Sequence, residues 1–223
     1  MNFSAVVFDM DGVLIDSEKF WELVEMEYLR PFLPSGFSKD KIRKEILGRS
    51  IFDTFTFLNN QFPEKFNNIT SDIFIENYEK IGEQKVYSKT NLLPGVRDFL
   101  EYLLSNKTTI AIGSSSPKRW IKQTLIRHEL KKYFSVIVSG CQVKKTKPDP
   151  EIYNLVAKNL NISADKCIAI EDSKNGVSSA KAAGMFVFAI RNGFNSEQNL
   201  KAADAIFHNF FELKAIFTKF YEL

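Results

Sequence analysis

Apolar and polar positions follow two different rhythms along this chain. Residues 5–8, Ala-Val-Val-Phe, form an unbroken apolar run that stops at Asp9, as a strand buried on both faces would. From about Ser17 to about Lys85 the spacing turns helical. Phe20, Val24 and Tyr28 recur at every fourth position, and Ile51, Phe55, Leu58 and then Phe74, Tyr78, Ile81 recur at spacings of four and three. Pro31, Pro34-Ser35-Gly36 and Pro63 separate these stretches. No strand pattern interrupts them, so this part of the chain predicts a small all-helical unit.

The rhythm changes again at Leu93-Pro94-Gly95. Thr108–Ile112 is an apolar, β-branched run, and a helix follows from about Pro117. Val136–Val138, Cys167–Ile170 and Met185–Ile190 are further strand candidates. Helices are expected over Pro150–Leu160 and over Lys174–Ala183, the latter ended by Gly184. Phe210–Phe220 reads as a last amphipathic helix. Short strands alternating with helices predict an α/β fold, a Rossmann-like parallel sheet with right-handed crossovers. Ala5–Phe8 joins that sheet, so the helical unit is an insertion after the first strand. The expected division is residues 1–16 with 88–223 as the α/β core and 17–87 as the insert, with hinges near Asp16-Ser17 and Tyr87–Leu92.

Composition narrows the function classes. Phe occurs 21 times against 7 Tyr and 2 Trp, so part of the core is expected to be aromatic. The net charge of +3 is too small a surplus to argue for nucleic acid. No apolar run approaches the roughly 18 residues that a membrane helix needs. Met1–Ser4 lacks a basic region leading into an apolar stretch, so no secretory signal is expected. Cys141 and Cys167 are the two cysteines, too few for a disulfide framework or a four-cysteine zinc site. They fit free thiols in a reducing cytoplasm. No exposed apolar repeat stands out, and a monomer is expected.

Ligands of open parallel sheets bind beyond the carboxyl ends of the strands. The polar residues there are Asp9-Met10-Asp11-Gly12, then Gly113-Ser114-Ser115-Ser116, then a loop with Lys144, Lys145 and Lys147-Pro148, then Glu171-Asp172-Ser173. Four acids, a hydroxyl and a lysine should converge on one edge. Two carboxylates about 4 Å apart repel by ~4 kcal/mol at an effective dielectric of 20, so four need a cation. Hard oxygen ligands suit Mg²⁺. A lysine and a serine hydroxyl nearby would complete a phosphate site. The strand ends point to magnesium-dependent phosphoryl chemistry.

Asp9-Met10-Asp11-Gly12-Val13-Leu14, followed by Asp16-Ser17-Glu18, resembles the first motif of the haloacid dehalogenase superfamily. Ile112-Gly113-Ser114 resembles the second, Lys147-Pro148 the third, and Glu171-Asp172-Ser173 with Asn175-Gly176 the fourth. The helical insert resembles the cap of the subfamily that holds β-phosphoglucomutase and small sugar-phosphate phosphatases. The four motifs, in order and at strand ends, extend the resemblance over almost the whole chain. It implies that Asp9 is a nucleophile forming an aspartyl-phosphate. Asp11 would protonate the leaving oxygen and then deprotonate the attacking water. An ordinary Asp is only about one part in a thousand protonated at pH 7, so Asp11 must sit in an environment unlike that of Asp9. Mg²⁺ would be held by Asp9, Glu171, Asp172 and the main-chain carbonyl of Asp11. Ser114, Ser115 and Lys147 would bind phosphoryl oxygens, with Lys147 offsetting transition-state charge.

Simpler readings compete at several positions. Asp11-Gly12 could be a plain turn. Ser116 is expected to cap the following helix, with Pro117 at its first position. Lys144 and Lys145 read as a solvated run. His128 reads as a surface histidine favoured by a helix end, and His208 lies outside the motifs. Substrate choice is expected from the cap. The mutase pattern carries a histidine where this chain has Trp21, and indole has no titratable proton near neutral pH. Trp21 is therefore expected to pack on a sugar or a closing wall, or to be cap core. Arg49, in Leu47-Gly48-Arg49-Ser50, is a candidate for a second phosphate or a sugar hydroxyl. Lys118 is a candidate for the leaving group. The expected activity is a phosphatase acting on a small phosphorylated metabolite, with a phosphosugar mutase and a non-catalytic binding protein as the rivals.

Overall fold

The computed structural model describes residues 3–36, 51–196 and 198–221. Six strands form one sheet: β1 Ala5–Phe8, β2 Thr109–Ser114, β3 Val136–Ser139, β4 Cys167–Glu171, β5 Phe186–Ile190 and β6 Ala205–Phe207, in the order β3-β2-β1-β4-β5-β6. Every neighbouring pair is parallel. β1 lies between β2 and β4, with Val7 opposite Ala111 on one side and Ala169 on the other. The strand order reverses direction there, which opens a crevice at the carboxyl ends of these strands.

Side chains alternate faces along each strand, and the two faces bury different cores. Ala5 and Val7 of β1 join Ala111, Val138, Ala169 and Val187 beneath helices α6 Glu151–Leu160 and α7 Lys174–Ala182. Phe8, from the alternate register, meets Phe99 at 6.1 Å, Phe134 at 6.2 Å and Phe210 at 6.3 Å between ring centroids. Phe99 lies on α4 Val96–Ser105 and Phe210 opens α8 Phe210–Tyr221. The expected aromatic core is this second face.

The core also contains α5 Lys118–Arg127. Two core elements were not foreseen. Helix α4 follows a Pro-Gly turn and buries Val96, Phe99, Leu100 and Leu103, an ordinary amphipathic stripe. Strand β6 has three residues on the sheet edge, too few to show a period. β2 and β4 run past their apolar segments, because the main chains of Ser114 and Glu171 still pair with Ser139 and Ala189.

The chain divides after Glu18 and again before Thr90, two residues beyond each expected boundary. Both crossings are tied within the core: Asp16 N–H donates to the Asn91 carbonyl at 3.0 Å, and Asn91 N–H donates to Asp16 Oδ1 at 2.7 Å. The insert, Lys19–Lys89, has its own core. Its described helices are α1 Glu18–Leu29, α2 Ile51–Gln61 and α3 Ser71–Ile81, continued by a π-helical turn over Gly82–Tyr87. Tyr28, Phe32, Leu58, Phe66 and Phe74 pack together, and the Tyr28 hydroxyl donates to the Phe74 carbonyl at 2.6 Å. Thr70 caps α3 by accepting from Ile73 N–H.

Phe99 is fully buried and also meets Phe217 edge-on at 5.1 Å. Phe99→Ala should cost about 3–5 kcal/mol of stability, measured by urea unfolding.

Candidate active site

The site forms where β1, β2 and β4 end. Asp9 N–H continues the ladder by donating to Ile170 O at 3.0 Å, which turns the Asp9 side chain out at the strand end. The chain then reverses through Met10-Asp11-Gly12, with Leu14 N–H donating to Met10 O at 2.8 Å. Gly12 has φ +73°, and a Cβ there would lie 2.1 Å from Asp172 Oδ2. Glycine is required at that position both for the backbone conformation and for the approach of the carboxylate. Asp11-Gly12 is thus a turn, and the turn carries the Asp11 carboxylate to Ser116, whose hydroxyl donates to Asp11 Oδ2 at 2.5 Å.

Across the crevice, β4 delivers Glu171 and Asp172, both buried. Ser173 caps α7 by accepting from Gly176 N–H at 3.0 Å. A Cβ on Gly176 would stand 2.0 Å from the Glu171 carboxyl group, so the first helical turn passes directly over it. The Lys147 ammonium, with its side chain 8% exposed, donates to Asp9 Oδ1 at 2.9 Å and to Glu171 Oε1 at 2.5 Å. It also faces Gly113 O at 3.1 Å and Tyr153 Oη at 3.3 Å. Asp9, Glu171 and Asp172 each present an oxygen within 4.8 Å of the others.

The other residues singled out by the sequence fall at several places in the structure. The Asp11 carboxylate does not belong to this three-carboxylate group, so a direct metal role would fall to its main chain. Ser116 does not cap α5: the N-cap position is Pro117, which offers no side-chain acceptor, and the Ser116 hydroxyl is committed to Asp11. Ser114 is buried and its Oγ accepts from Ser116 N–H at 3.1 Å. Ser115 is exposed, with its carbonyl packed where a Cβ on Gly140 would fall. Lys118 is exposed on the first turn of α5, and lines an apolar groove with Ile121, Ile126 and Ile137. Lys144 and Lys145 are exposed, Lys145 pairing with Asp149 at 3.6 Å. Within the insert, Trp21 stacks on Tyr78 at 5.0 Å and meets Tyr87 edge-on at 6.0 Å. Arg49 lies outside the described residues.

His128 is not the surface histidine expected. It is partly buried at the C-cap of α5. Burial, then the Arg127 and Arg97 charges, lower its pKa rather than raise it. His208 is exposed beside Glu212.

Three further groups shape the site. Asn192 Nδ2 donates to Gly12 O at 2.8 Å and Asp172 Oδ2 at 3.2 Å. Asn195 Nδ2 donates to Asp172 O at 2.7 Å and Ile190 O at 2.8 Å. Tyr153, on α6, donates to Glu171 Oε1 at 2.5 Å. The asparagines follow β5, so the rule that found the other strand ends reaches them too. Nothing in the sequence separates Tyr153 from the ordinary core positions of its helix.

The electrostatics follow from burial. Burial raises Asp9 to about 7, with Lys147 opposing and Glu171 and Asp11 adding to the rise. Burial, then Glu171 and Asp9, push Asp172 well above the carboxylate range. Burial alone would lower Lys147, but Asp9 and Glu171 more than reverse that and keep it charged. Burial and Glu171 keep the Tyr153 phenol protonated. Three carboxylates face one ammonium, a formal charge of −3 + 1 = −2. A hard divalent cation fits this all-oxygen set.

A doubly wound sheet with a lysine-bridged carboxylate cluster at its switch point defines a class, α/β proteins built to hold an anionic group against carboxylates. The haloacid dehalogenase-like hydrolase family model matches residues 6–190, and the chain belongs to that family. It is 35% identical over 211 residues to a phosphorylated carbohydrates phosphatase of Thermotoga maritima, covering 91% of this chain and 92% of the relative. It is 29% identical to hexitol phosphatase B of Escherichia coli strain K12, covering 81% and 80% of the two chains. The fold superposes on β-phosphoglucomutase from Clostridium difficile with a TM-score of 0.77 over 99% of this chain and 98% of that one, at 24% identity.

Asp9 titrates higher in the folded protein than in the unfolded chain, so it favours folding below pH 4 or so and that contribution disappears as pH rises toward about 7. Metal-free Asp9→Asn lacks this loss. In EDTA it should melt above the wild type at pH 8, and the gap in Tm should narrow at pH 5; a gap independent of pH would contradict the raised pKa.

Proposed function

We propose that the protein is an Mg²⁺-dependent phosphatase of small phosphomonoesters, in particular sugar phosphates, working through an aspartyl-phosphate on Asp9. The observation that carries this reading is the Lys147 ammonium at 2.9 Å from Asp9 Oδ1, inside the three-carboxylate group. A lysine so placed opposes the protonation of Asp9 that burial favours and stands where phosphoryl charge develops. The two phosphatase relatives support the substrate class.

Asp9, Asp172 and Glu171, with the Asp11 carbonyl, would hold Mg²⁺. The ion would supply charge neutralisation for the carboxylates and the phosphoryl group. An Asp9 carboxylate oxygen attacks phosphorus, and the bond from phosphorus to the ester oxygen breaks. Asp11 gives its proton to the departing alkoxide. Water then attacks the aspartyl-phosphate, Asp11 takes the proton back, and inorganic phosphate leaves with the Asp9 carboxylate restored. Ser116 holds Asp11 apart from the carboxylate group, which gives the two aspartates the separate environments their roles require. Ser114, Ser115 and Lys147 are assigned to the phosphoryl oxygens, Lys118 to the leaving group, and Trp21 and Arg49 to substrate choice.

Phosphate release should be measured across a panel of phosphorylated metabolites with Mg²⁺ and with EDTA. Mg²⁺-dependent release from sugar phosphates is expected, and Asp9→Ala should lower it at least 1,000-fold, a loss of about 4 kcal/mol of transition-state stabilisation. Residual activity above a tenth would refute Asp9 as nucleophile. Conversion of β-glucose 1-phosphate to glucose 6-phosphate without phosphate release would favour a mutase instead. Asp11→Asn should slow turnover about 100-fold or more, and unchanged kinetics would refute its acid–base role.

A further inference from the structure

We propose that Tyr153 is a positioning residue of this site, its hydroxyl holding the Glu171 carboxylate in the orientation that divalent-cation binding requires. The inference deepens the phosphatase reading and rests on it only for its kinetic part.

Tyr153 is fully buried on α6. Its one hydroxyl proton goes to Glu171 Oε1, at 2.5 Å. Toward Lys147 Nζ, at 3.3 Å, the same oxygen can only accept. Glu171 Oε1 therefore receives two donors, Tyr153 and Lys147. Oε2 receives two more, the Asp172 N–H at 3.2 Å and the Ser173 hydroxyl at 3.4 Å.

These four bonds are not equivalent. Those to Oε2 come from neighbours in sequence and move with Glu171 itself. Lys147 has three protons and four acceptors around it: Asp9 Oδ1, Gly113 O, Tyr153 Oη and Glu171 Oε1. A phosphoryl oxygen that binds Lys147 must take a proton from one of them. Tyr153 is the donor to Glu171 that comes from another element and has no second acceptor to serve. It keeps the carboxylate in place when the ammonium turns to substrate.

The ring is fixed for this task. A Cβ on Gly113 would lie 3.6 Å from Tyr153 Cε1 and 3.2 Å from Val156 Cγ2, so α6 seats its aromatic ring against bare backbone of β2. The ring centroid lies 4.9 Å from Lys147 Nζ. Tyr153→Phe keeps this packing and the cation–ring contact and removes the hydroxyl alone. Glu171 retains three donors in the variant, so the fold is expected to survive.

The test is Mg²⁺ binding by calorimetry to wild type, Tyr153→Phe, Glu171→Gln and the double variant, with circular dichroism melts of each. Tyr153→Phe should bind Mg²⁺ about tenfold more weakly, as loss of a group that orients a ligand does. In the Glu171→Gln background the same change should alter affinity less than twofold, because the hydroxyl acts through Glu171. Phosphate release by Tyr153→Phe should fall at limiting Mg²⁺ and recover at saturating Mg²⁺, a rescue that a general loss of packing would not show. Unchanged Mg²⁺ affinity in Tyr153→Phe would overturn the proposal, as would an equal loss in both backgrounds or no Mg²⁺ binding by the wild type. If the wild type binds Mg²⁺ but releases phosphate from no ester, the phosphatase reading fails and calorimetry still decides on Tyr153.

Discussion

The rest of the site depends on the buried ammonium of Lys147, bridging Asp9 and Glu171. These three charges come from three separate segments: the end of β1, the end of β4 and the loop before α6. Removing the ammonium would cost about 3–5 kcal/mol, because both carboxylates would be left buried and uncompensated. Yet one ammonium cannot balance three carboxylates. Burial first, with neighbouring carboxylates adding to it, raises Asp9 to about 7 and pushes Asp172 up, and the formal charge that remains is −3 + 1 = −2. The fold maintains a deficit of positive charge that a divalent cation would fill. A pocket lined by apolar side chains would have no such preference for a cation.

That deficit is held by main-chain geometry. Gly12 and Gly176 leave no room for a Cβ beside Asp172 and Glu171, so loop and helix each close directly on a carboxylate. Asn192 ties Asp172 to the Gly12 carbonyl, and Asn195 ties the Asp172 carbonyl to the end of β5. The parallel register of β1 with β2 and β4 sets all of these groups at one level of the sheet. The aromatic face beneath, centred on Phe8, Phe99 and Phe210, gives the strand ends a stiff base.

The insert follows another design. Its described core is a cluster of rings, among them Tyr28, Phe32, Phe66 and Phe74. Trp21 joins a stack with Tyr78 and Tyr87 in the same unit. These contacts fall within Lys19–Lys89, so the insert carries a core of its own.

The α/β fold, the inserted helical unit and the strand-end acids were legible in the sequence, because buried parallel strands are short apolar runs and the residue after each run is forced to the sheet edge. Asp9, Asp172 and Lys147 could be chosen on that ground, with the order of the motifs. Helix α4 is legible too, in the spacing of Val96, Phe99, Leu100 and Leu103 after a Pro-Gly turn. β6 was not, since three residues show no period. What only the tertiary structure decided is who partners whom. Ser116, in sequence a helix cap, bonds Asp11 across 105 positions. His128, in sequence a helix-end cation, is partly buried, and that burial, with the Arg127 and Arg97 charges adding to it, lowers its pKa. Tyr153, in sequence a core aromatic, spends its hydroxyl on Glu171. Local pattern determines which face a residue takes, whereas the partner of a buried polar atom is set by whichever distant segment the packed sheet brings within hydrogen-bond range.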